Sequence, residues 1–398
     1  MAVAVPFEEK TDEQQAITEM VRQFADEQIL PNAEHFDHED EFPTEIVAQM
    51  KELGLFGVTI PEEYGGMGLD LTTYVMIVEE LSRGWISISG IINTHFIGSY
   101  LLMKYGTDEQ KQNYLPRLAV GEIRSCFSMT EPDAGSDVQA IRTIARREGD
   151  EFVIDGNKMW VTNGDRASLI ALLVKTDPDA DPRHTGMTAL LVEKEAMVAQ
   201  QNGLTVSPPL GKLGYHGVES VEFAFEEFRV PVSAVLGGEE MIGKGFYQMM
   251  SGIETGRINV ASRGLGISLR ALELSLEYAQ QRSAFGKPIG HHQLIQKKIT
   301  DMATRIEASK HLILAAARKK DSGQRADIEA GMAKLYATET CQRCAEEAMR
   351  IFGGYGYSTE YEVERLYRDA PLMMIGEGSN EIQETIIAKG LLKRHELI

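Results

Sequence analysis

The spacing of apolar residues changes twice along this chain, and few architectures accommodate both changes. Up to about residue 120 the period is helical. Thr11 and Gln14 in "TDEQ" (11–14) fit a capping box, in which the threonine oxygen accepts from backbone while the glutamine reaches back. Ile17, Met20, Val21 and Phe24 follow at helical spacing. "PEEYGGMGLD" (61–70) reads as a glycine-rich loop, after which "THFIGSYLLMKYG" resumes an apolar helix. From about 124 to 236 the pattern becomes that of strands. "EFVIDGNKMWVTNG" reads as two short strands turning at Asp155–Gly156, since Asp-Gly is a strong hairpin signal. "SLIALLVKT" and "TALLVEK" are apolar runs of buried-strand length, and in "VEFAFEEF" Val221, Phe223 and Phe225 alternate with Glu222 and Glu226. After about 240 long helices return: Ile295, Ile299, Met302, Ile306 and Ile313 form a stripe running to about Lys320, and 327–352 and 380–394 are also helical. The expected order is a helical domain (1–123), a β domain (124–236) and a helix-bundle domain (237–398).

Composition narrows the function classes. At 398 residues the chain exceeds the usual size of one core. A net charge of -20 argues against a broad basic surface for nucleic acid. Three cysteines make no disulfide framework, so a reducing cytoplasm is the expected location. The opening "MAVAVPFEEKTDEQQ" lacks a basic stretch followed by an apolar core, so no secretory signal is expected. No uninterrupted apolar run approaches the ~20 residues that span a bilayer, so no membrane partner is expected.

Several short stretches carry possible chemistry, each with a plainer alternative. "FSMTEPDAGSDV" (127–138) gathers Thr130, Ser136 and Asp137 about Gly135, either as a polar turn or as donors for a planar heterocycle or phosphate. In "KMWVTNG" (158–164), Trp160 and Thr162 fall on one face of a strand. The indole is either a core residue or a surface on which a ring stacks beside a hydroxyl. "RSAFGKPIGHHQ" (282–293) is an interhelical loop or a cation and ring set for a ligand, and the glycines of "RIFGGYGYS" (350–358) permit close backbone approach. Cys341 and Cys344 form a C-x-x-C with no second pair or spaced histidines, so they read as structural and no metal is expected. Finally, "MMIGEGSNEIQ" (373–383) sets one carboxylate, Glu377, between two glycines at the end of an oily run.

Together these stretches resemble the acyl-CoA dehydrogenases over essentially the whole chain. "MTEPDAGSD", "WVTNG", "RSAFGKPI", "GGYGYSTEYEVERLYRD" and "IGEGS" stand in that family's order and at its spacing. The resemblance implies an α+β multidomain fold: an N-terminal α-helical domain, a middle β-barrel-like domain and a C-terminal four-helix bundle. It implies noncovalent FAD, a homotetramer built as a dimer of dimers, and electron-transfer flavoprotein as electron acceptor. The implied reaction is α,β-desaturation of an acyl-CoA to the trans-2-enoyl-CoA, as in fatty acid β-oxidation.

In that reaction Glu377 is the catalytic residue, removing the α-proton while a hydride leaves Cβ for flavin N5. Burial raises a carboxylate's pKa towards working pH, and Gly376 and Gly378 let backbone approach the thioester. Some relatives carry the base on another helix; here that position is Gly256, in "SGIETGRINV" (251–260). For the cofactor, the resemblance implies Phe127, Met129 and Thr130 at the flavin pyrimidine, Trp160 stacked on the ring system and Thr162 bonded to N5. Arg282, Phe285, Gln293, Gly353 and Gly354 would hold the adenosine end of FAD bound mainly by a neighbouring subunit. Ser379 and Glu381 would meet the diphosphate and adenosine half. Ser136 would contact the pantetheine–phosphate portion of the substrate, with Glu254, Arg257 and Gly378 also at the substrate.

Two positions depart from the pattern. Arg350 replaces the usual Gln or Glu and is expected to alter contacts at the adenosine end by pairing with diphosphate, and Glu362 replaces a common proline. Other flavin chemistry on the same fold, such as an acyl-CoA oxidase, is one alternative function, and a non-catalytic flavoprotein module is another. For substrate class, "VEELSRGWISISGIINTHF" (78–96) aligns Ile86 with the arginine that holds a distal carboxylate in glutaryl-type relatives. Ser89, Gly90 and Asn93 would shape the pocket floor, none of them a cation, with Arg83 three positions from Ile86 as the alternative. The expected substrate is therefore a neutral acyl-CoA of short to medium length.

Overall fold

The computed structural model describes residues 10–194 and 203–395. The first region holds helices α1 (Asp12–Phe24), α2 (Leu30–His38), α3 (Thr44–Glu52), α4 (Leu71–Gly84), α5 (Ile86–Tyr105) and α6 (Asp108–Ala119). The expected capping box opens α1: Gln14 N donates to Thr11 Oγ1 at 3.1 Å, and Thr11 N donates to Gln14 Oε1 at 3.2 Å. Helices α4 and α5 are buried on nearly every side. By length and composition α5 alone among the described residues could cross a membrane, but it lies inside the protein. Ser87, Ser89, Asn93 and Thr94 interrupt its apolar run, which is why the sequence shows no unbroken one.

The middle region is a mixed sheet of β1 (Ser125–Ser128), β2 (Ile144–Glu148), β3 (Glu151–Thr162), β4 (Leu169–Lys175), β5 (Met187–Glu193), β6 (Leu204–Val206) and β7 (Ser220–Pro231). The order is β1-β4-β2-β3-β7-β6, with β5 also paired to β4. Phe152, Ile154, Val161, Leu172, Phe223 and Phe228 fill its core.

The hairpin expected at Asp155–Gly156 is not there. The turn lies at Gly149–Asp150, where Glu148 pairs with Glu151, and β3 runs on through Gly156. Gly156 sits at a register shift with φ 141°, and a Cβ there would come within 2.6 Å of Thr143 Cα. Asp155 accepts from Glu227 N at 2.8 Å and pairs with Arg146 at 2.7 Å. The Asp-Gly pair thus builds a bulge, which favours the same residue types as a tight turn.

The third region holds α7 (Gly245–Gln281), α8 (Gln293–Asp321), α9 (Asp327–Phe352), α10 (Val363–Ile375) and α11 (Asn380–Arg394). A short hairpin of β8 (Ser283–Ala284) and β9 (Lys287–Pro288) links α7 to α8. Central α9 packs against α7, α8, α10 and α11. Met302, Ile306 and Ile313 are buried along α8 as its stripe predicts. Helix α10 was not among the expected helices; it is short and carries Pro371 within it. Cys341 and Cys344 are buried free thiols, and burial pushes the Cys344 thiol up to about 12.

Candidate active site

Glu377 lies in the four-residue link between α10 and α11. Its φ is 54°, a left-handed conformation that costs a non-glycine residue on the order of 1–3 kcal/mol and persists only where its surroundings hold it there. Both ends of the link are tied down. Lys334 of α9, wholly buried, donates to Met374 O and to Asn380 Oδ1, each at 2.8 Å. Gln383 Nε2 donates to Gly378 O at 3.0 Å. Gly378 has φ 84°, and a Cβ there would come within 2.9 Å of that amide nitrogen. The positive φ favours glycine on this side, and a side chain there would also push the Gln383 amide off its bond to Gly378 O.

The carboxyl of Glu377 reaches α7 at Gly256: a Cβ at 256 would lie 3.0 Å from Glu377 Oε2. The filled and empty base positions therefore meet at one place. Around the carboxyl stand Arg257, Arg263, Asn93 and Lys334. Burial raises the Glu377 pKa, and these four groups offset only part of that rise. Burial also brings Lys334 down to about 7, although Glu377 opposes the change. Arg257 Nε and Asn93 Oδ1 are buried without a hydrogen-bond partner. The Glu377 N–H likewise donates to no other described residue. A desolvated carboxylate beside unspent donors suits proton abstraction next to an oxygen that gains charge.

A second group gathers at the sheet edge. Met159 N donates to Thr130 O at 2.9 Å, and Lys158 Nζ donates to Met129 O and Glu131 Oε1, each at 2.9 Å. Glu131 also accepts from Arg142 N at 2.6 Å and Thr143 N at 2.9 Å. This buried pair, which the sequence reading passed over, fixes Met129 and Thr130 beside Trp160. A bulge between Lys158 and Val161 breaks the simple alternation assumed for this strand. Trp160 has φ 60° and is 53% exposed, so the core alternative for this indole is excluded. Thr162 Oγ1 lies 3.4 Å from Ser220 Oγ, Phe127 is half-buried in β1, and Ser128 Oγ is buried without a partner. An open indole beside the Thr162 and Ser220 hydroxyls fits a planar, hydrogen-bonding ring, whereas Ser128, next to Phe127 in β1, faces the other side of the sheet. Asn163 joins the two groups: its Nδ2 donates to Thr94 Oγ1 at 2.8 Å, next to Asn93 on α5.

The remaining expected residues lie elsewhere. Ser136 is exposed on its loop, Ser379 is half-buried and Glu381 is exposed. Glu254 pairs with Lys320 at 2.8 Å. Beside it opens a cavity of about 600 Å³, lined in part by Phe96, Tyr100, Lys104, Thr255 and Arg325. Arg282 stands 5.7 Å from the Tyr355 ring, Phe285 is 96% exposed, and Gln293, Gly353 and Gly354 are exposed too. Among the described residues, no hydrogen bond, ion pair or ring contact links this outer cluster to Glu377. Arg350 pairs along its own helix with Glu346 at 3.5 Å. Glu362 binds Arg270 at 2.7 Å and Arg365 at 3.0 Å, which accounts for an acid where proline is common. Ile86 and the floor residues Ser89, Gly90 and Asn93 are buried on α5, and Arg83 is taken by Asp26, Glu80 and Glu273.

Comparison with known proteins matches three domain descriptions in sequence order. The N-terminal domain of acyl-CoA dehydrogenase covers residues 11–122, the middle domain 126–228 and the C-terminal domain 243–392. An acyl-CoA dehydrogenase of Bacillus subtilis (strain 168) is 40% identical over 96% of this chain and 98% of its own. A (2S)-methylsuccinyl-CoA dehydrogenase of Cereibacter sphaeroides is 40% identical over 96% of this chain and 70% of its own. The solved butyryl-CoA dehydrogenase of Megasphaera elsdenii superposes with a TM-score of 0.91 at 34% identity, covering 97% of this chain and 100% of that one. This chain belongs to the acyl-CoA dehydrogenase family of FAD-dependent oxidoreductases.

Proposed function

We propose that this enzyme desaturates an acyl-CoA thioester between Cα and Cβ, with Glu377 as the base that takes the α-proton. The observation that carries the reading is the Glu377 carboxyl itself. It is strained, desolvated and set over Gly256, where no second acid competes. Its raised pKa gives it more affinity for a proton than an exposed glutamate has, which a weakly acidic thioester α-proton demands. The unspent Glu377 N–H is suited to the thioester oxygen as negative charge grows there. Arg257, buried beside the carboxyl, opposes part of that rise and so favours the ionised base.

Met129, Thr130, Trp160 and Thr162 would hold the flavin ring, and Arg282, Phe285, Gln293, Gly353 and Gly354 its adenosine end. FAD supplies the two-electron acceptor for the Cβ–H bond. Because the outer cluster is exposed and has no link to Glu377, it would serve the site of a second chain, which is the basis for a homotetramer or at least a dimer. Lys104, Lys320 and Arg325 around the cavity beside Glu254 suit the phosphates of CoA. Electron-transfer flavoprotein is the proposed electron acceptor.

Anaerobic mixing with a panel of acyl-CoA esters tests the reaction. Wild-type flavin should bleach, while Glu377→Gln should keep FAD and bind thioester yet bleach about 10²–10⁴-fold more slowly. Wild-type rates in the variant would remove Glu377 from the role. A reduced flavin–product complex that persists in air would separate a dehydrogenase from an oxidase.

A further inference from the structure

Among the described residues four arginines are buried: Arg83, Arg257, Arg263 and Arg365. Two are paired in the usual way. Arg83 meets Asp26, Glu80 and Glu273, and Arg365 meets Glu362 at 3.0 Å. The other two have no carboxylate within ion-pair distance among the described residues, and both stand near Glu377 on α7. Arg257 flanks the carboxyl directly, as the proposed base requires. Arg263 has no such assignment.

We infer that Arg263 receives a carboxylate at the far end of the acyl group, so that the enzyme's substrate is the mono-CoA thioester of a short dicarboxylic acid. The inference rests on the desaturation reading and deepens it by naming the substrate class.

Position is the first argument. Gly256 faces the Glu377 carboxyl, and Arg263 is seven residues further along α7, hence two turns on along the same face. At 1.5 Å per residue the two stations are about 10 Å apart along the axis. On α5, which packs against α7, Asn93 stands at the Glu377 end, while Ser89 and Ile86 stand at the Arg263 end. An acyl group that presents its α-carbon to Glu377 and extends between these helices would meet the guanidinium next.

Partners are the second argument. Arg263 Nε donates to Ser89 Oγ at 3.2 Å, Nη2 lies 3.5 Å from Ile86 O, and the guanidinium stands 4.9 Å from the centre of the Tyr215 ring. Every one of these direct partners is neutral, and the nearby Glu377 carboxyl acts on the guanidinium only from beyond ion-pair distance. A cation that is 3% exposed and bonded directly only to neutral groups is poorly compensated, and a ligand carboxylate would complete it through charge-assisted bonds. Tyr215 closes the side: its hydroxyl packs where a Cβ at Gly90 would come within 1.9 Å. The expectation of a neutral substrate considered cations on α4 and α5 only. Here the cation comes from α7.

The competing view is that Arg263 merely plugs the pocket and favours short neutral chains. The FAD-loaded enzyme, mixed anaerobically with succinyl-, glutaryl-, butyryl- and hexanoyl-CoA, separates the two. We expect succinyl- or glutaryl-CoA to reduce the flavin at least tenfold faster than either neutral ester. Arg263→Gln should cut that ratio by tenfold or more, and Arg263→Lys should restore part of it. A faster reaction with butyryl- or hexanoyl-CoA in the wild type overturns the proposal, as does an Arg263→Gln variant that slows both classes equally. If no ester reduces the flavin, the desaturation reading itself has failed. Calorimetric binding of the same esters then still decides the role of Arg263. Tighter binding of the dicarboxylic esters that Arg263→Gln abolishes supports it, and equal affinity for both classes overturns it.

Discussion

Glu377 and Phe285 share an uncommon backbone. Each is a non-glycine residue with φ near 50°, and each lies beside a glycine that also has positive φ. Their surroundings differ completely. The Glu377 link is held from three sides by Lys334, Gln383 and the face of α7. Phe285 touches little of its own chain beyond an edge contact with His292 at 5.8 Å. Strain persists where something over-determines it. At Glu377 that support comes from within the chain. At Phe285 the chain supplies little, which agrees with a residue placed for a partner and its cofactor.

The contrast can be broken at either end. Among variants that keep the acid itself, the largest effect is expected from Gly256→Val, which forces the Glu377 carboxyl from its place. Flavin reduction should slow by about 10²-fold while the fold survives, since small displacements of a catalytic group cost that much. Unchanged rates would show that the carboxyl does not work over Gly256.

Next is Lys334→Met, which frees both ends of the link and removes a nearby cation. We expect kcat to fall about tenfold, the upper limit of a misplaced base being far larger. Lys334 as a cation lowers the Glu377 pKa, so its loss should raise that pKa. The acid limb of kcat/KM should therefore move to higher pH. A limb that stays put or moves down would contradict the assignment.

Glu377→Gln offers a stability counterpart. Because the folded-state pKa of Glu377 is raised, the wild-type fold is favoured by the protonated acid and loses stability as pH rises from about 4.5, the ordinary value, through the folded one. Denaturant unfolding should find the two proteins equal in acid and the variant more stable near neutrality. A variant less stable at pH 8 would mean the carboxylate is not desolvated.

The smallest effect belongs to the outer cluster. Phe285→Ala should change the unfolding free energy of the chain by no more than about 0.5 kcal/mol, as for other exposed sites. It should, however, weaken FAD retention and subunit association on sizing columns. A large stability loss with assembly intact would show that the ring supports its own chain.

Much of this was legible in the sequence because periodicity and caps are local. The α8 stripe, the alternation in β7 and the Thr11 box all report contacts set within a few residues. The Asp155–Gly156 misreading has the opposite cause: a bulge and a hairpin demand the same residues, and only the register with β7 separates them. Glu377 stood out through its flanking glycines. Its distant surroundings did not, for Lys334 is 43 positions away along the chain and Arg263 more than a hundred. Glu131 and Lys158 were hidden similarly, since pairing of two ordinary charges at 2.9 Å leaves no local pattern.

The central claim is that Glu377 moves the α-proton, and isotope exchange tests it most directly. A 3-thia-acyl-CoA has no β-hydrogen to lose, so with the FAD-loaded enzyme in D₂O only the proton step is observed. Mass spectrometry of the recovered thioester should show deuterium entering the α-position with wild type and only background exchange with Glu377→Gln. Equal exchange by the two proteins would place the base elsewhere and contradict this account.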